Sequence, residues 1–571
     1  MENARIAAKL DRIADLIDLE DGSPFRVRSY RRAAQTVREH ARRLADLAAA
    51  GENLSKLPNI GASIAGKIEE LIDTGQCDEL ERLEREVPPA LTEVMDVPRL
   101  GPRKAMRLHE ALGVASLDDL AAAAEAHEIR DVEGFGEKTE AAILRGIGTV
   151  RSGARDRFLL HDAAQQVRLL ERHLEHIDAL AGWHVAGSYR RRQATVGDLD
   201  VLLEARDRDR VVDAVTGWDE VAEVVARGRE KVSVALRDGL AVDFRFFEAR
   251  SFGAALLYFT GSKAHNVALR KRCQAHGWKL SEYGLFKGDR LLAGRDEAAV
   301  YHRLGLDWIP PELREDRGEI EAAGDGALPR LIRHDALRGD LHCHTEASDG
   351  IASIEAMAER ARERGYEYLA ITDHSQRVSV ANGLDERRLR RHARRIRELD
   401  QQFDDLWLLA GVEVDILEDG DLDLTAKCLE GLDWVVASVH YHQDLDEAAM
   451  TARLVKAIES GLVHCLGHPL GRLIGRREPI SFDTDRVLDA CAANDVRLEI
   501  DAQPARLDLP DSFCQQAKAR GVGFVIDSDA HKPDGLDLID LGIDVARRGW
   551  LEARDVLNTR SRAALARALG R

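Results

Sequence analysis

From Gly339 to the C-terminus, short apolar runs alternate with stretches long enough for a helix, and nearly every run is followed at once by a histidine or a carboxylate. The runs are Tyr368–Ile371, Trp407–Ala410, Trp434–Ala437, Val496–Ile500 and Gly523–Ile526. Such βα repetition predicts a parallel, barrel-like sheet, with functional residues at the C-terminal ends of the strands. His342 and His344 end one strand-like run and, two residues apart, share a face. Asp349, His374, Glu413, His440, His468, Asp529 and His531 stand at comparable places. One histidine of this kind is ordinarily a loop residue. Six histidines and three carboxylates placed alike form a ligand set. Mixed imidazole and carboxylate ligation suits Zn²⁺, Mn²⁺ or Fe²⁺, and nine ligands imply three ions, with Glu413 as the bridge. Ions so clustered generate hydroxide at neutral pH and stabilise charge on a phosphoester under attack.

A second constellation lies upstream. Asp198-Leu199-Asp200 opens a β run, so both carboxylates point to one face, and Asp243 lies in another run, Ala241–Phe247. A third β run is Val232–Leu236. Three clustered carboxylates are what two Mg²⁺ ions require for in-line phosphoryl transfer. An Asp-x-Asp pair alone is common on surfaces. Here Gly187-Ser188-Tyr189-Arg190-Arg191-Arg192 precedes it by ten residues, and a Gly-Ser turn with a hydroxyl and arginines alongside is a phosphate cradle.

Residues 1 to about 150 carry the 3.6-residue apolar periodicity of helices joined by short turns. Three of these turns repeat one design: Leu57–Ile68 around Gly61, Val97–Ala105 around Gly101, and Val132–Thr139 around Gly134 and Gly136. The glycines are expected to supply positive φ and room for a phosphate. Each following helix N-terminus offers free N–H donors. Such contacts hold a nucleic-acid backbone without reading its sequence. Each turn is also followed by Lys or Arg. Between Phe25 and Arg43, Arg26, Arg28, Arg31, Arg32, Arg38, Arg42 and Arg43 face a single acid, Glu39, so the chain's net charge of −19 does not exclude a local cationic surface.

With 571 residues and 44% hydrophobic content, the chain is expected to fold into several domains. No apolar run approaches 18 residues, so no membrane span is expected. The start lacks a signal-peptide core, and the seven scattered cysteines form no CxxC pair, which implies a cytoplasmic chain without disulfides or a thiolate zinc site. The charged, glycine-bearing stretch Arg314–Pro329 reads as a linker.

The run from Gly187 through Asp200, with Tyr258-Phe259-Thr260-Gly261-Ser262, resembles the family X DNA polymerases, and the nine-ligand pattern resembles the PHP (polymerase and histidinol phosphatase) domain. Together the likenesses span essentially the whole chain, in the order of bacterial and archaeal family X polymerases. They imply a helical 5′-phosphate and DNA-binding domain over 1–85 and a helix-hairpin-helix domain over 86–152. An α/β nucleotidyltransferase palm over 153–252 and a small thumb over 253–313 follow. A linker over 314–335 then leads to a distorted β/α barrel over 336–571. The resemblance further implies that Ser188, Arg191 and Gly197 contact a triphosphate, with Gly187 in the same cradle. Tyr258, Phe259, Gly261 and Asn266 would line the sugar and base pocket. Lys263 departs from the acidic residue of animal members. Arg26 and Arg31 would grip a downstream 5′-phosphate. Lys67 would fall where some members form a Schiff base, although Ser63 stands where a second lysine is expected. The substrates implied are gapped or nicked DNA and deoxynucleoside triphosphates, for a monomer associated with the nucleoid. The barrel implies 3′→5′ exonuclease, abasic-site endonuclease or 3′-phosphatase action, which spacing does not separate. A phosphatase merely docked on DNA by its N-terminal part, and a catalytically silent end-binding protein, are the rival readings.

Overall fold

Residues 6, 9–10, 12–14, 16–17, 24–39, 44–49, 53–57, 60–86, 94, 97, 100, 102–136, 139–140, 143–144, 147, 157–477 and 479–570 are described in a computed structural model. Its contacts divide the chain into residues 1–156 with 378–383, and residues 157–377 with 384–571. The first unit is helical, as its periodicity predicts, with helices at Pro24–Glu39, Ala62–Thr74, Asp78–Glu86, Pro102–Leu112 and Leu117–Glu125 among others. Ile13, Ala33, Ile68, Leu71, Leu108 and Leu120 are fully buried in its core. The helix Ala62–Thr74 stops because Gly75 turns left-handed at φ +76 and its N–H caps the Leu71 carbonyl.

The second unit opens with β1 (Phe158–Leu159), which pairs antiparallel with β3 (Thr195–Val196). The palm sheet comprises β2 (Leu180–Val185), β4 (Asp198–Ala205), β5 (Val221–Arg227), β6 (Lys231–Leu236) and β7 (Ala241–Phe246), in the order β2-β4-β7-β6-β5. Only β4 and β7 run parallel, and their register sets Asp200 directly opposite Asp243. The edge strand β5 is exposed along nearly its whole length, so it carries little burial pattern for a sequence reading to find. The thumb follows as helices Phe252–Thr260 and Lys263–Ala275, a ribbon of β8 (Lys279–Ser281), β9 (Gly284–Lys287) and β10 (Arg290–Ala293), and the helix Glu297–Arg303.

Beyond Gly339 the strands pair in parallel and in chain order: β11 (Gly339–Asp340), β12 (Tyr368–Ile371), β13 (Trp407–Asp415), β14 (Trp434–Ser438), β15 (Cys465–Leu466), β16 (Arg497–Asp501) and β17 (Phe524–Asp527). A parallel bridge from Cys343 to Ala530 brings the first and last strands' continuations together, so the barrel is nearly closed. Alternate strand residues divide between two cores. Leu369, Ile371, Leu408 and Ala410 pack with the helices, while Tyr368, Ala370, Leu409 and Trp434 pack with Leu557 and Leu565. All seven cysteines are free and buried. Among the described residues no helix is long and apolar enough to cross a membrane.

The segment expected as a linker, 314–335, is folded over much of its length. Arg314 and Glu319 are fully buried, and Glu319–Gly324 is a short helix. Arg314 Nη1 donates to Glu297 Oε1 at 2.7 Å, and Glu319 Oε1 meets His265 Nδ1 at 2.6 Å. These two charges are paired in the interior, whereas Asp316, Glu321, Asp325, Arg330 and Asp335 are exposed, a distinction that composition does not make. Arg190 completes the cluster with a forked pair of bonds to the Glu297 carboxylate, each 2.8 Å. Burial raises the Glu297 pKa, but Arg314 and Arg190 overcome it and hold the group down at about 2, against its ordinary 4.5. A depressed folded-state value stabilises the fold above pH 4.5, and that stability is lost as pH falls toward 2. Glu297→Gln is therefore expected to cost on the order of 3 kcal/mol at pH 7, and less as the pH is lowered through 4.5 to 3. Urea unfolding of both proteins across that range checks this, and a pH-independent difference contradicts it.

Candidate active sites

The palm carboxylates stand on adjacent parallel strands, as their β-run placement predicts. Asp198 is exposed, whereas Asp200 and Asp243 are half-buried. Arg245 donates through Nε to Asp200 Oδ1 at 3.0 Å and through Nη2 to Asp243 Oδ2 at 2.9 Å. Lys231 Nζ and Ser233 Oγ add bonds to Asp243 at 3.0 and 2.6 Å. Burial raises Asp200 above the usual carboxylate range in spite of Arg245. Burial acts the same way on Asp243, but the bonds from Ser233 and Lys231 and the charge of Arg245 leave it below that range. Sequence reasoning missed Arg245. Its signal was available, because it lies two residues beyond Asp243 and so shares its face.

The predicted cradle adjoins this acid pair. Gly187 has φ +66, and a Cβ there would stand 3.3 Å from Asp200 Oδ2. Glycine is thus required both by the backbone and by the approach of the carboxylate. Ser188 lies in the following turn, Gly187–Arg190. Arg191 bonds through Nε to Glu315 Oε1 at 2.9 Å and through Nη1 to the Thr260 carbonyl. Gly197 lies beside Arg157, with 3.5 Å between its virtual Cβ and Arg157 Nη1. Tyr258 and Phe259 form an edge-on pair at 5.1 Å, and Phe259 carries the Arg245 guanidinium over its ring at 4.4 Å. Asn266 Nδ2 donates to the Tyr258 carbonyl at 2.7 Å. Gly261, at φ +71, ends the Phe252–Thr260 helix 3.1 Å (from its virtual Cβ) short of Arg191 Nη1. Gly187, Tyr258, Phe259, Gly261 and Asn266 are therefore linked through Arg191, Arg245 and Asp200, whereas Gly197 lies apart beside Arg157.

At the barrel rim all nine expected ligands converge. Glu413, 1% exposed, lies 2.7 Å from His374 Nδ1, 3.0 Å from His468 Nε2, 3.3 Å from His440 Nε2, and 3.4 and 3.6 Å from the Nε2 atoms of His342 and His344. Asp349 meets His374 Nε2 at 3.2 Å and His531 Nε2 at 3.4 Å, and Asp529 meets His344 Nε2 at 3.0 Å. Three ligand groups of this set have donor atoms close enough to share an ion: His344, Asp349, His374 and His531; His342, His344 and Asp529; and His374, Glu413 and His440. The fit to metal shows in the buried atoms themselves. The Nε2 atoms of His342 and His344 face each other at 3.2 Å, and Glu413 Oε2, His344 Nδ1 and His468 Nδ1 are buried without a hydrogen-bond partner. Burial works against charge on His440 and His531, yet Glu413 and Asp415 hold the first, and Asp349 and Asp529 the second, up at about 9.

An outer ring orients these ligands, as metal sites require. Glu499 meets His342 Nδ1 at 2.5 Å and accepts from the main-chain N–H of His468, and Asp415 Oδ1 meets His440 Nδ1 at 3.0 Å. Neither carboxylate was singled out in the sequence. Glu499 was legible only as a lone charge inside the apolar run Leu498-Glu499-Ile500.

One main-chain hydrogen bond recurs in the three N-terminal turns. Ile60 donates to the Leu57 carbonyl, Leu100 to that of Val97, and Phe135 to that of Val132, at 3.2, 3.0 and 3.0 Å. Gly61 then starts its helix, and Thr139 and Glu140 bond back to Gly136. Positive φ holds at Gly134 (+86), where a side chain would strike Arg107, but Gly61 is extended at φ −75. Gly61 and Gly136 stand in open space, with no atom within 4 Å of a virtual Cβ, and neither is left-handed. Gly101 lies outside the described residues. The arginine run is also less unopposed than it reads. Arg26 Nη2 bonds to Glu79 Oε1 at 2.6 Å, and Lys67 Nζ lies 3.7 Å from Glu79 Oε2 and 3.4 Å from Ser63 Oγ. Arg31 is exposed on the helix Pro24–Glu39.

Family models match along the chain: a helix-hairpin-helix domain over 1–77, a SAM-like helix-hairpin-helix tandem over 91–149, a DNA polymerase beta palm over 160–257, a DNA polymerase beta thumb over 255–315 and a PHP domain over 340–501. The chain is 36% identical over 565 residues, 98% of each protein, to the DNA polymerase/3′-5′ exonuclease PolX of Bacillus subtilis. It is also similar to a probable phosphatase of Vibrio parahaemolyticus, 31% identical over 39% of this chain and 90% of that protein. A probable phosphatase of Escherichia coli is 31% identical over 28% of this chain and 62% of that protein.

Glu499→Gln keeps the shape of the residue that anchors His342 and His468 but weakens its hold on both. Metal affinity is expected to fall about 10- to 100-fold. Competition with a chromophoric chelator measures it, and unchanged affinity contradicts the anchoring role.

Proposed function

The chain belongs to the PolX family of DNA polymerases that carry a PHP domain, and we propose that it fills short gaps during DNA repair and processes 3′ ends by 3′→5′ exonuclease action. The observation that carries this reading is the Asp200–Asp243 pair on parallel strands with the Gly187 turn against it. Asp198, Asp200 and Asp243 would hold two Mg²⁺ ions, which supply an activated 3′-hydroxyl and neutralise the leaving pyrophosphate. Arg245 and Lys231 neutralise the acids in the meantime and are displaced on loading. Ser188, Arg191 and the N–H groups of the turn hold the triphosphate. Tyr258, Phe259, Gly261 and Asn266 bound the sugar and base. The N-terminal turns and Arg26 and Arg31 hold the gapped duplex, with the downstream 5′-phosphate at the arginines.

In the barrel, the nine ligands would hold three ions of Zn²⁺ or Mn²⁺, which supply hydroxide for attack on the terminal phosphodiester. The same ligands would serve 3′-phosphate removal or abasic-site incision, which end-labelled substrates tell apart. The phosphatase reading leaves the palm without a role, and the probable phosphatases above match less than half of this chain.

The two ligand sets have no residue in common, so they should separate by mutation. Asp198→Ala with Asp200→Ala is expected to abolish nucleotide addition on a one-nucleotide gap while 3′-end degradation continues. His342→Ala or Asp529→Ala is expected to do the reverse and to lower the bound transition metal. Extension retained in the double variant overturns the palm assignment, and undiminished degradation in both barrel variants overturns the other. Lys67 is the amine that this reading offers to an incised abasic site. Borohydride trapping is expected to fall in Lys67→Ala, and undiminished trapping clears the residue.

A further inference from the structure

The helix Ile539–Arg548 belongs to the barrel half, yet one of its faces is spent on the polymerase half. Asp544, Arg547 and Arg548 share that face by their helical spacing. Arg548, 4% exposed, donates through Nη1 to the main-chain carbonyl of Arg191 at 2.7 Å and to Glu315 Oε1 at 3.1 Å. Its Nη2 donates to Asp511 Oδ2 at 2.6 Å, and Arg317 Nη1 bonds to the same oxygen at 2.9 Å. Glu315 Oε1 also accepts from Arg191 Nε at 2.9 Å and from Gln193 Nε2 at 2.6 Å. Asp544 Oδ1 lies 3.8 Å from Arg192 Nε, and Arg547 Nε donates to Glu312 Oε1 at 2.8 Å. Arg191 is therefore fixed twice by one residue of the barrel half, through its own carbonyl and, by way of Glu315, through its guanidinium.

We infer that Arg548 is a positioning residue for nucleotide addition, which sets the aim of Arg191 and of the Gly187–Arg192 turn at the incoming triphosphate. The inference rests on the reading above that this turn holds the triphosphate. Its physical basis is the planar fork of arginine, which bonds a carbonyl and two carboxylates at once, as an ammonium cannot. Removing Arg548 leaves Glu315, 14% exposed at its side chain, with Arg191 as its one remaining cation partner. The carboxylate is then free to draw the Arg191 guanidinium with it. A small misplacement of a group that orients a substrate costs far more than the contact itself. Arg548 touches none of the nine barrel ligands, so end degradation should not sense the change.

The test measures steady-state gap filling, 3′-end degradation and thermal stability for full-length Arg548→Met, Arg548→Lys, Glu315→Gln and Arg191→Ala. Arg548→Met is expected to raise the KM for the deoxynucleotide about tenfold, with kcat and degradation little changed. Arg548→Lys should recover only part of that loss, and Glu315→Gln should show the same KM effect. Arg191→Ala combined with Arg548→Met should be no worse than Arg191→Ala alone, because both act through one group. If Arg191→Ala raises KM while Arg548→Met does not, the link is wrong and the reading of the turn stands. If Arg191→Ala leaves KM unchanged, the reading of the turn falls, and this inference with it. If Arg548→Met lowers kcat, degradation and melting temperature together, the residue is structural support and the inference is overturned.

Discussion

Glu413 sits almost wholly out of water with five imidazoles between 2.7 and 3.6 Å of its oxygens. A lone carboxylate at that depth would cost several kcal/mol, and only close partners offset it. That requirement shapes the whole C-terminal half. The five partners come from the ends of four different strands, so the carboxylate is satisfied only when those strands stand side by side in register. The imidazoles must then be held in orientation, and the outer carboxylates Glu499 and Asp415 do this for His342 and His440 from buried positions on their strands. Remove the order of the strands and the rim becomes a set of unpaired charges.

The palm meets the same problem with a looser solution. Its acids are neutralised by Arg245 and Lys231, whose side chains are 25% and 42% exposed. Ion pairs so open to water are screened and individually worth about 1 kcal/mol or less. Cations held that weakly are readily exchanged for other cations. Imidazoles locked by outer carboxylates are held far more firmly. One chain thus joins a site suited to ions that come with the substrate and a site suited to resident ones, and burial is the variable that separates them.

Much of this was legible in residue order because strand ends advertise themselves. An apolar run that stops at a histidine or an aspartate announces both the strand and the rim, so the nine residues that converge there and most barrel strands could be read directly. Cys465–Leu466 could not, since two residues carry no periodicity. The outer carboxylates were hidden for a different reason: they lie within strand runs, and their partners are remote in sequence. Composition also could not single out Arg314 and Glu319 within residues 314–335. A solvated charge and a buried ion pair look identical in a sequence, and Arg314 and Glu319 are the latter. At the N-terminal turns positive φ holds at Gly134 but not at Gly61, and extended and left-handed glycines are indistinguishable before the chain folds.

The six residues from Gly187 to Arg192 show how far a fold can refine what residue order suggests. Three successive arginines beside a Gly-Ser turn read as a phosphate cradle, yet the fold pulls them three ways. Arg190 is forked onto Glu297 of the thumb, Arg191 onto Glu315 and the Thr260 carbonyl, and Arg192 toward Asp544 of the barrel half. Only a small part of that positive charge is left to meet an anion directly. The rest fixes a turn too short to have a core of its own, and it does so with directional bonds where apolar packing would permit sliding. A site that must stabilise charge as it develops gains from donors that need not move when it does. On that argument Arg190 and Arg192 are chiefly a frame for Arg191, the serine and the N–H groups of the turn, and their ties to the thumb and to the barrel half are what keep the frame rigid.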